Sequence, residues 1–162
     1  MEHLSSDQLA RATALPLGSG GPAVSIIVPL RDEAPNIRAL VAAIHESLPG
    51  SHSYEIILVD DASRDDTRQI ALALAAEARR GNLPDLRVIA HDRAGGQSAA
   101  VHSGVRAARG AVIATLDGDG QNPPSNLPAL IGPLLAPGRD PQLALVAGQR
   151  VGRQDTLSKR LA

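Results

Sequence analysis

The most specific chemistry in the chain lies in Asp117-Gly118-Asp119-Gly120-Gln121-Asn122-Pro123-Pro124. Two carboxylates separated by one glycine can turn toward a single cation, and magnesium is typically held by one or two carboxylates plus substrate phosphates. The pattern therefore suits a metal diphosphate. An EF-hand loop also begins Asp-x-Asp, but its sixth position here is Asn122 where glycine is needed and its twelfth is Pro128 where glutamate is needed, which excludes that loop. Glycine and aspartate are also ordinary turn formers, so the rest of the chain has to decide. Four other apolar runs are followed by polar clusters: Arg31, Asp32 and Glu33; Asp60 and Asp61; His91, Asp92 and Arg93; and Gln149 with Arg150. Carboxylates and arginines gathered in this way favour a site for a metal and a polyanion.

Those clusters need elements to position them. The runs Val24 to Val28, Glu55 to Val59, Leu86 to Ala90, Ala111 to Leu116 and Leu143 to Ala147 are short and apolar, as strands buried on both faces of a parallel sheet are. Between them lie segments of helical period. Ile37, Leu40, Val41, Ile44 and Leu48 form one stripe, and Ile70, Ala73, Leu74 and Ala78 another, with Ser63 and Asp66 spaced as a capping box. A third helix is expected from Gln97 to about Arg109, ended by Gly110, and a fourth through Leu127, Leu130, Ile131 and Leu134. The alternation predicts an α/β three-layer α/β/α sandwich with a mostly parallel sheet. In such sheets ligands bind outside the carboxyl ends of the strands, so all five clusters are expected on one edge.

Composition narrows the function. The 162 residues suit one domain, read as a tail over residues 1–22 followed by an ordered unit over 23–162. Cysteine is absent, which excludes disulfide scaffolds, cysteine nucleophiles and thiolate metal sites. Tyr54 is the sole aromatic residue, so base stacking on aromatic rings is excluded, and a net charge of -1 gives no global attraction to nucleic acid. No run of about 18 apolar residues occurs and the start lacks a signal-peptide pattern, making a cytosolic location the default expectation.

In order and at matching spacing, PLRDEAPNI, EIILVDDASRDDT, GGQSAAVHSGVRAARG, ATLDGDGQNPP and VAGQRVGRQDTLSKR resemble glycosyltransferase family two enzymes of the dolichyl/polyprenyl-phosphate mannosyltransferase type. The likeness runs from about Val24 to Ala162. It implies a GT-A fold that binds a nucleotide diphosphate sugar of the GDP-mannose or UDP-glucose class, with Mg2+ or Mn2+ as cofactor. It places Pro29, Leu30, Arg31, Glu33, Val59 and Asp60 around base and ribose, where carboxylates match the ribose hydroxyls. Asp61 is read as a brace for its loop. Arg93 and Gln97 fall along the path of the donor, although Gln97 is equally placed to cap its helix, while Asp117, Gly118, Asp119 and Gln121 match the metal and diphosphate motif.

The same resemblance implies a polyprenyl or dolichyl phosphate acceptor, gripped by Arg150 and Arg160, at the cytosolic face of a membrane to which the protein attaches peripherally. Asp119, Arg150 and Arg160 are thus the expected catalytic residues. Such a phosphate is already largely ionised near neutral pH, so no strong general base is required. The expected reaction is inverting transfer of a hexose, mannose first. The chain departs from the pattern in Arg31 and Asp32, where many relatives carry an aromatic residue and Asn, and in stopping near the point where the acceptor portion should develop. Alternatives are a family two transferase acting on a sugar hydroxyl and a nucleotide-binding remnant without turnover. A receiver-like signalling module fits less well, because Asp117 and Arg150 stand where Ser or Thr and Lys are usual.

Overall fold

The computed structural model describes residues 21–148 apart from 49, 51, 52 and 82. Four strands, β1 (Val24–Leu30), β2 (Tyr54–Asp60), β3 (Asp85–Ala90) and β4 (Val112–Thr115), alternate with helices α1 (Ile37–Ser47), α2 (Thr67–Arg79) and α3 (Gln97–Ala107). A 3-10 turn at Pro124–Asn126 then leads into α4 (Leu127–Leu135). The strands form one wholly parallel sheet in the order β3-β2-β1-β4.

The period-2 alternation of each strand sends successive side chains to opposite faces. Val24, Ile26, Val28 and Leu30 of β1, with Ile56 and Leu58 of β2, pack against Ile37, Leu40, Val41 and Ile44 of α1 and Ala71, Leu74 and Ala75 of α2. Leu127 and Ile131 of α4 join the same core. On the other face Ile27, Ile57 and Val59 meet Ala100 of α3. The expected three layers are present, with three helices on one side and one on the other.

Gly104 lets α3 approach that second face. A Cβ there would stand 2.4 Å from Ile27 Cγ2 and 3.3 Å from Val59 Cγ2. Ile27 is β-branched and fully buried, so it has little freedom to yield. Gly104→Ala is expected to cost about 1–3 kcal/mol by overpacking, visible as a lower midpoint in urea with an unchanged slope. A midpoint equal to wild type would show that the α3 interface is looser than this.

Three expectations are corrected. Residues 143–147 form no strand, and Leu145 is 78% exposed. A local turn uses the groups a ladder would need: Leu143 N–H donates to the Asp140 carbonyl, and Arg139 Nη1 donates to the Leu143 carbonyl at 2.9 Å. The expected capping box is also absent, since α2 starts at Thr67, three residues beyond the turn of helix that a cap at Ser63 would begin. Asp65 accepts the Thr67 N–H instead, and Ser63 Oγ accepts from the Asp32 N–H. Finally, the buried face of α2 is Thr67, Ala71, Leu74 and Ala75, with Ala73 exposed. An alanine-rich helix marks its face weakly, and the large side chain of Leu74 sets the rotation.

Candidate functional site

Strand order decides where the site lies. The chain runs outward from β1 to β2 to β3 and then returns past β1 to add β4, so the direction of winding reverses between β1 and β4. Beyond the carboxyl ends of adjacent strands at such a switch point the following loops diverge and leave a crevice. A cavity of about 430 Å³ occupies it, lined by Pro29, Leu30, Arg31 and Glu33 after β1 and by Asp117, Gly118 and Asp119 after β4. Asp61, Gly96, Gln97 and Ala100 complete the wall.

Hydrogen bonds hold this wall. Asp117 accepts from Gln97 Nε2 at 2.7 Å and from Asn122 Nδ2 at 2.9 Å, which ties the loop after β4 to the first residue of α3. Gln97 makes no capping bond, so of its two expected roles it takes the one facing Asp117. Asp119 is exposed and accepts the Gln121 N–H at 3.0 Å, the geometry of an Asx turn. Glu33 Oε2 accepts from Asn36 Nδ2 at 2.7 Å. Asp32 has φ 56, a left-handed value that aspartate tolerates, and its Oδ1 accepts the Arg64 N–H at 2.6 Å.

Gly118 is pressed against β1: a Cβ would lie 2.7 Å from Leu30 Cδ2 and 2.8 Å from the Pro29 carbonyl oxygen. A backbone oxygen cannot step aside. Gly118→Ala should therefore displace Asp117 and Asp119 from β1 and weaken divalent-cation-dependent nucleotide binding about tenfold or more. Calorimetric titration against wild type measures this, and unchanged affinity would place the binding determinants elsewhere.

Strand alternation separates Asp60 from Asp61. Asp60 shares its face with Ile56 and Leu58 and is fully buried. Arg68 Nε donates to its Oδ2 at 2.8 Å and the Ser63 N–H to its Oδ1 at 3.1 Å. Asp60 is thus a buried anchor for α2, and it does not line the cavity expected of it. Asp61 follows the parity of Ile57 and Val59 toward α3 and lines the cavity. It is also the brace expected from the sequence, accepting the N–H groups of Gly95 at 2.8 Å and Gly96 at 2.7 Å. Burial alone raises the Asp61 carboxyl pKa, but the bonds from Gly95, His91 and Gly96 outweigh it and hold the group below the ordinary carboxylate value. The parity rule was the signal that could have assigned Asp61 to the cavity.

The structure also moves three other expected residues off the wall. Val59 is buried under α3, Arg93 is exposed beyond the cavity, and Gln121 offers its backbone N–H to Asp119 while its side chain lies outside the lining. Val59 lies within β2 and spends its side chain on the core beneath α3, whereas Arg93 and Gln121 sit in exposed loop segments outside the wall. Arg150 and Arg160 lie outside the described residues.

Four carboxylates, those of Glu33, Asp61, Asp117 and Asp119, face the cavity with one guanidinium, that of Arg31. A diphosphate brought into this field is repelled unless a cation accompanies it. Among the described residues no group of three His, Cys, Asp or Glu side chains converges as a metal cage. The donor set is therefore two carboxylates two positions apart at a cavity mouth, with the remaining ligands to come from phosphate and water. That set fits Mg2+ or Mn2+ carried with a diphosphate and does not fit a closed structural metal site.

Residues 25–160 match the sequence profile of Glycosyl transferase family 2. The chain belongs to glycosyl transferase family 2. Among curated relatives of this family 2 chain, a dodecaprenyl-phosphate galacturonate synthase of Rhizobium johnstonii is 38% identical over 140 residues, covering 85% of the chain and 38% of the relative. An undecaprenyl-phosphate 4-deoxy-4-formamido-L-arabinose transferase of Pseudomonas syringae pv. syringae is 39% identical over 140 residues, with the same coverages of 85% and 38%. The chain thus spans about 38% of the length of these relatives. A solved mannosyltransferase from Pyrobaculum calidifontis, in complex with GDP-Man and Mn2+, aligns at TM-score 0.53 and 25% identity over 68% of the chain and 33% of that structure. Glucosyl-3-phosphoglycerate synthase from Mycobacterium tuberculosis, in complex with uridine diphosphate, shares the fold at TM-score 0.56 and 24% identity, over 85% of the chain and 47% of that structure. The expected GT-A architecture is borne out.

Proposed function

We propose that this chain is the donor-binding portion of a transferase that moves a sugar from a nucleotide diphosphate to a polyprenyl phosphate. The observation that carries the reading is the pair Asp117 and Asp119 at the switch-point cavity, in a field too negative for a bare diphosphate. The relatives' names support a polyprenyl-phosphate acceptor over a sugar hydroxyl. They are named for galacturonate and 4-deoxy-4-formamido-L-arabinose, so the mannose expectation rests on the sequence resemblance alone.

In this reading the nucleoside lies toward Asp61, Glu33 and Arg31, and the diphosphate lies along Gly118 toward Asp119. Glu33 and Asp61 are acceptors for the hydroxyl and N–H groups of the nucleoside. Asp117, held by Gln97 and Asn122, and Asp119 would hold the cation, which neutralises charge on the departing diphosphate. Arg150 and Arg160 are proposed to grip the acceptor phosphate and aim one of its oxygens at C1 of the sugar. That oxygen forms the new bond to C1 as the C1–oxygen bond to the diphosphate breaks from the opposite side, inverting the centre. The nucleophile is already anionic, so the protein supplies alignment and needs no strong base. Among the described residues no helix is long and apolar enough to cross a membrane, and peripheral attachment at the cytosolic face is part of the proposal.

The test is thermal unfolding with UDP or GDP, each with and without Mn2+ or Mg2+. A nucleotide at about 100 times its Kd should add about 2.7 kcal/mol of stability, several degrees for a domain of this size, and only when the cation is present. No shift with any combination would sink the donor-site reading.

A further inference from the structure

We propose that His91 is a positioning residue for the cavity, acting through Asp61. His91 follows β3, and its ring spans two elements: Nδ1 lies 2.8 Å from Asp61 Oδ1 and Nε2 lies 2.9 Å from Ser103 Oγ on α3. The backbone of His91 is fixed as well. Its N–H donates to the Asp60 carbonyl at 2.9 Å, and its carbonyl accepts from Arg68 Nη2 at 2.7 Å. A carboxylate only accepts hydrogen bonds, so Nδ1 carries a proton toward Asp61.

The acceptor capacity of Asp61 gives this arrangement its consequence. An ionised carboxylate has about four acceptor positions. On Asp61, Oδ1 receives Gly95 N–H and His91, and Oδ2 receives Gly96 N–H. Arg31 Nη1 stands 3.7 Å from Oδ2, beyond hydrogen-bond range, and donates instead to the Asp61 carbonyl at 2.9 Å. Among the described residues this leaves one position, on Oδ2, for a ligand in the cavity. His91 occupies the position on Oδ1 that would otherwise let the carboxylate rotate, and so decides which way the open acceptor faces. The same bond steadies the Gly95–Gly96 turn, because those N–H groups share the carboxylate with His91.

The order aspartate, histidine, serine is also that of an activated nucleophile. Ser103 does not line the cavity, however, so here the hydroxyl anchors the ring from α3. The inference rests on the donor-cavity reading for its functional consequence, but the positioning itself can be tested without ligand.

Two measurements on the full chain decide it. In the free protein, His91→Ala should move the Gly95 and Gly96 amide signals in a proton–nitrogen NMR spectrum and speed their hydrogen exchange, while amides of β1 stay protected. Unmoved Gly95 and Gly96 amides would overturn the proposal whether or not any nucleotide binds. With UDP or GDP and Mn2+, whichever pair stabilises wild type, His91→Ala should weaken binding about tenfold, the worth of one hydrogen bond to a charged group. His91→Asn, which offers an N–H near the place of Nδ1, should recover most of that loss, and Ser103→Ala should fall between. A purely structural histidine would lower the melting temperature in both His91 variants and leave nucleotide affinity at the wild-type value. If wild type binds neither nucleotide, the donor reading fails and the amide experiment still rules on the positioning.

Discussion

Glu55→Ala is expected to destabilise the protein by about 3–5 kcal/mol, more than any other single change considered, although it lies at the opposite end of the sheet from the cavity. Glu55 on β2 is fully buried, and its oxygens collect Ser25 Oγ at 2.6 Å, the Arg109 backbone N–H at 2.8 Å, Arg109 Nη2 at 2.8 Å and Arg87 Nη2 at 2.7 Å. Arg109 also pairs with Asp85, and Ser25 Oγ accepts the Gly110 N–H at 2.8 Å. One carboxylate thus joins β1, β2, β3 and the segment entering β4. Removing it leaves a hydroxyl, a backbone N–H and two guanidinium groups to find new partners. Urea denaturation measures the loss, and a change below about 1 kcal/mol would mean that water replaces the network easily.

The same carboxyl sets an acid limit. Burial alone raises its pKa, but the bonds from Ser25, Arg109 and Arg87 outweigh burial and hold it below the ordinary glutamate value. Because the folded pKa is the lower one, this stability is complete above the unfolded value of about 4.3 and is lost as pH falls through the folded value. Asp61 is lowered in the same sense and adds to the slope. Glu55→Gln should therefore lower stability at neutral pH and flatten the fall below about pH 4, which melting temperatures between pH 3 and 7 will show.

Asp119→Asn should abolish the cation-dependent nucleotide shift and leave the free protein as stable as wild type. Asp119 is exposed and, among the described residues, its one bond is to the neighbouring Gln121 N–H, so little folding energy depends on it. Its charge is one of four carboxylates on the cavity wall, and their mutual repulsion slightly favours losing it. The cation, by contrast, loses one of two protein carboxylates. Against an expected gain of about 2.7 kcal/mol at 100 times Kd, the variant should show a shift near zero in thermal unfolding. A variant that kept the full shift would assign the cation elsewhere. Asp117→Asn is a harsher change: Gln97 and Asn122 donate to different oxygens of the carboxylate, so an amide there would set its N–H against one of the two.

Periodicity by itself determined the fold class, four of the five expected strands and the helix stripe of α1, while the family was legible through the resemblance that the five motifs carry in order. The reason is local: buried strands and an amphipathic helix write their faces into apolar spacing. Eight of the expected cavity residues needed only their position just after β1 or β4, or at the start of α3, to be found: Pro29, Leu30, Arg31, Glu33, Gln97, Asp117, Gly118 and Asp119. The tertiary structure decided the remainder. Strand order placed the crevice between β1 and β4, and strand parity exchanged Asp60 for Asp61. The run at 143–147 has the pattern of a strand, yet a strand exists only with a partner, and at its start the turn at Asp140 already holds the N–H of Leu143 while Arg139 holds its carbonyl. His91 and the glycine amides lie 30 to 35 residues from Asp61 in sequence and share no spacing rule with it, so their meeting there, with Ser103 behind the ring, follows only from the packing of α3 against the sheet.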